Sequence, residues 1–359
     1  MKKIEIYIRH FLLQLLLFFK KKKSKSPIPG FGKNSKILFI RLNRIGDALV
    51  TTPLLSEIKQ QTGSKIYVLA GSKNYFIFEN PDICDKIIIH KKVLGSQIEL
   101  IRSLNKIGFD AVVDLHDDIS TTVSYITAFV KCSYKFGLSK GIDKLFTHTV
   151  QRLDPEKYHV VDRMLEFGKL FGIKYNTDKI NIVFSTTVED EQYANKFLQN
   201  EFTQERFLAG INISAGHDAR FWGIENFKQL ISILNNYDIN LVLLCDKKDL
   251  QSANEIACNS VPVFQRDNFN EFSAIIKKLD FLFTPDTSII HIASAFMKPV
   301  FGIYVKYNTN NMIWSPYKSP FECVITEEPN LNNVSFKLVK EKFVPFFEKF
   351  YYGSKIKNM

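Results

Sequence analysis

The sequence predicts an α/β protein made of two Rossmann-like domains in tandem, each built on a parallel sheet. Three observations carry this expectation. Short apolar runs rich in branched residues alternate with helical stretches, as buried parallel strands alternate with their crossover helices. The pattern restarts near residue 207, with no internal sequence repeat. A length of 359 residues exceeds one ordinary α/β domain and suits two.

The chain opens with an arm, MKKIEIYIRHFLLQLLLFFKKKKSK, whose apolar run at residues 11–19 is broken only by Gln14. The run is too short to span a bilayer, which takes about 20 residues. A lysine block follows where a cleaved signal would carry small residues, which argues against export. Residues 1–25 hold a net charge of +7 out of the chain's +11. Two readings stand for the arm: a helix lying in a membrane interface with lysines on anionic headgroups, or an extra helix packed on the domain. Residues 24–32, with Pro27, Pro29, Gly30 and Gly32, read as a linker.

The first domain follows. KILFIRL (36–42) reads as a strand, ALVTTPLLSEIKQQ (48–61) as a helix and KIYVLAG (65–71) as a second strand. KIIIH (86–90) and AVVDLH (111–116) are further strands, separated by a helix near 97–106. In the second domain the strands are FLAGIN (207–212), NLVLLCD (240–246), VPVFQ (261–265), LDFLFTPD (279–286) and VFGIYV (300–305). Helices fall at ENFKQLISILNNY (225–237), EFSAIIKKL (271–279) and IIHIASAF (289–296), with a closing helix near 334–352. The boundaries expected are 1–33 for arm and linker, 34–180 and 181–332 for the two domains, and 333–359 for the closing helix and tail.

Composition limits the function. With 45% hydrophobic and 13% aromatic residues the chain can bury a core. Beyond the arm the net charge is only +4, so no nucleic-acid groove is indicated. The five cysteines show no C-x-x-C pair and no metal-ligand spacing, and read as free thiols in a reducing compartment.

Ligands of open α/β sheets bind beyond the carboxyl ends of the strands, so polar residues there are the candidates. After the first strand come Arg41, Arg44, Gly46 and Asp47. Asp47 is either a carboxylate at a helix amino terminus or a general base, with Gly46 allowing a sharp turn. Arg41, Arg44 and His116 are candidates for contact with an acidic acceptor, and Asp114, Asp117 and Asp118 cluster around His116 in the sequence. In the second domain Ser214-Ala215-Gly216 forms a small-residue loop, and Arg220 is a natural partner for phosphate oxygens. Asp286, Thr287 and Ser288 open a helix with His291 one turn in, either as a simple cap or as an anion site. Missing are the G-x-G-x-x-G fingerprint, the Walker lysine motif, the G-x-S-x-G elbow and a D-x-D pair after a strand. A nicotinamide dehydrogenase or epimerase is therefore disfavoured.

Taken in order, these motifs resemble glycosyltransferase family 9, the ADP-heptose:lipopolysaccharide heptosyltransferases, over about residues 36–316. The resemblance rests on Ile45-Gly46-Asp47 with Thr51-Thr52-Pro53, on Ser214-Ala215-Gly216 with Arg220 and Trp222, and on Asp286-Thr287-Ser288 with His291 and Lys298-Pro299. The segment opening at His159 is similar too. Departures are Ser288 where the family has glycine, Arg220 where lysine is common, and Cys245-Asp246 where Gly-Gly is common.

The resemblance implies a GT-B fold whose two sheets face a central cleft. It implies inverting transfer of a sugar, heptose from ADP-heptose, to a lipopolysaccharide core or related glycolipid, without a metal or other cofactor. Asp47 would be the catalytic base. Arg220, Asp286, Thr287, Ser288, His291, Ser214 and Gly216 would bind the donor. Together with the arm it implies a cytoplasmic enzyme peripheral to the inner membrane, touching that surface through residues 1–25. The alternatives are the same fold with another sugar nucleotide, or a non-catalytic glycan- or nucleotide-binding relative.

Overall fold

A computed structural model describes residues 2–20, 27–91, 96–176 and 178–357, with the side chains of the first helix described from Phe11 onward. The chain divides into two compact units, Met1–Val183 and Phe184–Met359.

The first unit runs α1 (Lys2–Phe19), β1 (Lys36–Arg41), α2 (Ile45–Leu49), α3 (Thr52–Thr62), β2 (Lys65–Gly71), β3 (Lys86–His90), α4 (Ser96–Ile107), β4 (Ala111–Asp114), α5 (Thr121–Phe129), β5 (Tyr134–Leu138), β6 (His148–Val150) and α6 (Val160–Leu165). Its strands are all parallel, in the order β3-β2-β1-β4-β5-β6. The second unit runs α7 (Val188–Glu201), β7 (Phe207–Asn212), α8 (Ile224–Leu234), β8 (Ile239–Leu244), α9 (Leu250–Ala257), β9 (Val263–Phe264), α10 (Phe269–Lys278), β10 (Phe281–Pro285), α11 (Ile289–Ala295), β11 (Val300–Val305), β12 (Phe321–Thr326) and α12 (Phe336–Lys357). Its sheet is parallel too, in the order β12-β11-β10-β7-β8-β9. Each sheet has its first strand near the centre, the second and third to one side, and the fourth to sixth to the other. This is the Rossmann order, and the chain reverses direction across the sheet between the first and fourth strands.

Both units secure that junction with the same device. Asp110, just before β4, accepts the Lys36 N–H at the start of β1 (2.8 Å); Asp280, just before β10, accepts the Leu208 N–H in β7 (2.8 Å). A carboxylate thereby satisfies a strand-opening donor, and the pairing register of the two central strands is pinned.

Several differences from the sequence reading have physical causes. The helix expected at 48–61 is two helices. Thr51 and Thr52 turn their hydroxyls back onto the carbonyls of Ala48 (2.6 Å) and Leu49 (2.8 Å), and Pro53 opens α3, where a missing N–H costs nothing. Strand β5 carries Gly137, a strand-weakening residue, because the Phe146 ring lies against it; a Cβ there would meet that ring at 2.3 Å. β6 and β12 lie at the edges of their sheets, and β12 is largely open to solvent, so neither shows a buried-strand pattern. Gly46 lies within α2 and has no positive φ, so the sharp turn expected of it is absent. The linker is held in place at its far end, since Phe31 packs on Tyr134, Phe136 and Phe171 and the Tyr134 hydroxyl donates to the Pro27 carbonyl. The lysine run 21–23 and residues 24–26 lie outside the described residues.

The last helix belongs to the core of the second unit. Val339, Phe343, Phe347 and Tyr351 recur every fourth residue, so they form one stripe, and all are buried. Phe281 of β10 packs against the rings of Phe343, Phe346, Phe347 and Phe350. Truncating Phe343 to Ala should therefore cost about 3–5 kcal/mol of unfolding free energy in the second unit, measured by chemical denaturation. A change under about 1 kcal/mol would show that α12 is dispensable to this core.

Candidate functional site

Two polar clusters occupy the carboxyl ends of the central strands, one in each unit. In the first, β1 delivers Arg41 and the loop to Asp47, and β4 delivers Asp114 and His116. These are the two strands on either side of the reversal point.

Arg41 is almost fully buried and its guanidinium is held inside the unit by three donated hydrogen bonds. Nε donates to the Asp47 carbonyl (2.8 Å), Nη2 to Asp47 Oδ1 (3.3 Å) and Nη1 to the Leu115 carbonyl. Burial pulls its pKa below the ordinary range, and the nearby carboxylates of Asp47 and Asp114 oppose that pull. Asn43 Nδ2 also donates to Asp47 Oδ1 (3.3 Å), so one carboxylate oxygen is gripped from two sides. The Asp47 side chain stays partly exposed, at 19%. Asn74, fully buried, closes the loop from behind by donating to the carbonyls of Arg41 (3.1 Å) and Asn43 (3.0 Å).

His116 is enclosed as well. Its Nε2 accepts the Leu42 N–H (3.2 Å), so the ring's proton sits on Nδ1, which donates to Asp114 Oδ1 (2.9 Å). Burial lowers the His116 pKa, and the hydrogen bond to Asp114 opposes it. Asp114 is buried too. Burial alone would raise its pKa, but the His116 hydrogen bond and the Lys140 ammonium (2.8 Å from Oδ2) bring it below the usual carboxylate value. Asp117 is likewise held low against burial by Arg152 (2.9 Å) and Arg163 (2.8 Å). Arg41 and His116, expected to contact the acceptor, are both buried and join the segments after β1 and β4. Arg44 alone of the three is exposed.

In the second unit β7 delivers the loop at Ser214 and β10 delivers Asp286. Buried Asn212 donates to the Ser214 carbonyl (2.9 Å) and to Thr284 Oγ1 (2.9 Å), tying the two strand ends together. Ser214 Oγ accepts the Asp246 N–H (2.8 Å). Space beside the Gly216 α-carbon is open. Lys248, unforeseen in the sequence, donates to the Ala215 carbonyl (2.8 Å) and adds a cation to this loop. Arg220 reaches Asp286 twice, Nη2 to Oδ2 (3.0 Å) and Nη1 to the backbone carbonyl (3.1 Å). Burial raises the Asp286 pKa, and Arg220 opposes it. Thr287 and Ser288 are half-buried at the start of α11, and Ser288 has ordinary right-handed backbone angles that a serine adopts without strain. His291 is buried, its ring 6.0 Å from that of Trp314. Trp222 is core: it is buried and donates to the Val334 carbonyl (2.8 Å).

The structure thus joins Arg41 to Asp47, His116 to Asp114, and Arg220 to Asp286. Asn74, Lys140, Asn212 and Thr284 complete these clusters and were missed, because a lone polar residue carries no pattern until the fold brings its partner.

The model of glycosyltransferase family 9 (heptosyltransferase) matches residues 97–343. The lipopolysaccharide core heptosyltransferase OpsX of Haemophilus influenzae is 23% identical over 316 residues, covering 84% of this chain and 88% of that protein. Among solved structures, a glycosyl transferase family 9 protein from Veillonella parvula superposes with a TM-score of 0.72 at 21% identity, covering 84% of this chain and 88% of that one. The E. coli heptosyltransferase WaaC with ADP gives 0.68 at 17% identity, covering 88% and 99%. Their fold is GT-B, and this chain shares it.

The state of His116 has a consequence for stability. The unfolded ring titrates near about 6.5, the folded one lower, so between those values the unfolded chain binds the extra proton and stability rises with pH. Acidification through about pH 6.5 should therefore begin to lower the melting temperature, and Asp114 should add a second loss below about pH 4. His116→Gln should flatten the first limb and leave the second present but reduced, since the Lys140 ammonium still holds Asp114 low. An unchanged first limb would assign it to another group.

Proposed function

From its membership of glycosyltransferase family 9, we propose that this glycosyltransferase moves heptose from ADP-heptose onto a lipopolysaccharide core or related glycolipid, with inversion and without a metal. The observation that carries the reading is the Asp47 carboxylate, partly open at the end of the central strand and fixed through one oxygen by Arg41 and Asn43. A general base needs a carboxylate whose orientation is set before the substrate arrives and whose second oxygen remains available. Heptose and ADP are the sugar and nucleotide in the names of the relatives from H. influenzae and E. coli.

In this mechanism Asp47 removes the proton of an acceptor hydroxyl as that oxygen attacks the anomeric carbon. The bond from that carbon to the nucleotide's diphosphate breaks on the opposite face, and its electron pair leaves with the diphosphate. Arg220 meets the departing negative charge, with Ser214, Gly216, Thr287 and Ser288 lining the approach for phosphate. Asp286 now occupies the guanidinium, so the diphosphate shares or takes over that contact. His291, buried within α11, supports that segment. Arg44, exposed beside Asp47, is the cation left for an acidic acceptor. The acceptor is lipid-linked, so the enzyme works at the cytoplasmic face of the inner membrane, with residues 1–25 as its contact.

Asp47→Asn should reduce turnover by at least about 100-fold, the usual contribution of a general base, with ADP binding by calorimetry unchanged. Arg220→Ala should instead weaken ADP binding and turnover together. Turnover within about threefold of the parent in Asp47→Asn would remove the base from this scheme.

A further inference from the structure

The arm helix α1 has two apolar faces, and among the described residues only one is packed against the protein. Leu13 and Leu17 are buried, at 1% and 7% exposure, against Ile142, Leu145 and Phe146. Phe11, Phe18 and Phe19 are 68%, 77% and 74% exposed, and Leu12 and Leu15 are exposed with them. At 3.6 residues per turn these five fall within an arc of about 120°, centred opposite the Leu13–Leu17 seam. A surface helix normally turns charged and polar residues outward, so an outward face of three phenylalanines and two leucines calls for a cover.

We propose that this outer face is a lipid-docking surface, which seats the first unit on an anionic bilayer with α1 lying in the plane of the interface. Charge selects the occupant. The basic residues Lys2, Lys3 and Arg9 precede the exposed run, and Lys20 to Lys23 follow it, giving residues 1–25 their net +7. A second copy pairing face to face would bring an identical +7 arm against the first. An anionic headgroup layer instead neutralises both blocks. Shape points the same way. Phe11, Leu15 and Phe18 also wall a groove of about 600 Å³ with Ile142, Asp143 and Lys144, and mobile acyl chains can fill a groove and cover a convex face at once. The helix does not cross the bilayer: no described helix is long and apolar enough to do so. Because Leu13 and Leu17 fasten α1 to the unit, the arm is a fixed foot rather than a loose tether. The proposal supplies the membrane contact for the lipid-linked acceptor proposed above and rests on that reading only for its purpose.

The test uses the full chain in flotation with phosphatidylcholine vesicles, with and without phosphatidylglycerol. Binding is expected with the anionic lipid only and should weaken as salt is added. The triple variant Phe11→Ser, Leu15→Ser, Phe18→Ser leaves the Leu13–Leu17 seam intact. It should lose at least about tenfold in vesicle partition while keeping its circular dichroism and its ADP affinity. In a Phe18→Trp variant, brominated lipids should quench fluorescence beyond any quenching of the parent. Equal flotation of parent and triple variant would overturn the proposal. So would the absence of extra quenching, or a dimer that is lost in the triple variant while vesicles bind neither protein. Vesicle binding in a protein that fails to bind ADP would uphold the docking surface and count against the transferase reading instead.

Discussion

A guanidinium buried at the reversal point of the first sheet is the interaction on which the rest of that unit's polar end depends. Removing Arg41 from water is expensive unless its donors are matched, and three of them are, by Asp47 twice and by Leu115 once. Those partners lie on the segments that follow β1 and β4, so satisfying the charge also joins the two segments. His116 adds a second tie between them by accepting from Leu42 and donating to Asp114. Asp114 then needs a compensating cation, and Lys140, arriving after β5, supplies it. Each burial creates the requirement that the next residue meets. Breaking one member leaves another uncompensated, which typically costs about 3–5 kcal/mol.

The second unit solves the same geometric problem without a buried charge. Asn212, at the end of β7, reaches Thr284 in β10, and a neutral amide is enough to join the strand ends. The charge in this unit stands farther out, in the Arg220–Asp286 pair, which is a third and a fifth exposed. An ion pair in that position is weakly held compared with a buried one, and its cation can be offered to another anion. The two units share a strand order and a strand-capping carboxylate, yet differ in where they place charge. In the first it is sealed in to hold a carboxylate still. In the second it sits where it can change partners.

How much of this was legible beforehand depended on the range of the signal. β2 and β11 have the limits their apolar runs suggest, because a strand buried on both faces writes itself continuously into the sequence, and the edge strand β3 matches its run as well. The pairings Arg41–Asp47 and Arg220–Asp286 joined residues already singled out, but their geometry was not legible. Arg41 and His116 look like surface ligands in a polar loop, and nothing local says that Leu115 and Leu42 will enclose them. Asn74 and Lys140 gave no sign at all, since their partners lie 33 and 26 residues away. Gly137 gave no sign either, as the ring that requires it comes from Phe146, across a turn.

The arm shows a different kind of ambiguity, in which two readings of one segment are both physical. An apolar run of this length can pack on a domain or lie in an interface, and composition does not separate the two. Helical geometry does, by giving each reading its own face: Leu13 and Leu17 inward, Phe11, Leu15 and Phe18 outward. Packing alone would be served by polar residues on the outer face, and a loose membrane tether would not need the Leu13–Leu17 seam. Having both fixes the orientation of one unit relative to whatever covers the other face. For the lipid-linked acceptor proposed above, that orientation would remove rotational freedom before the acceptor binds, which is the kind of entropy a transferase otherwise has to overcome at each encounter.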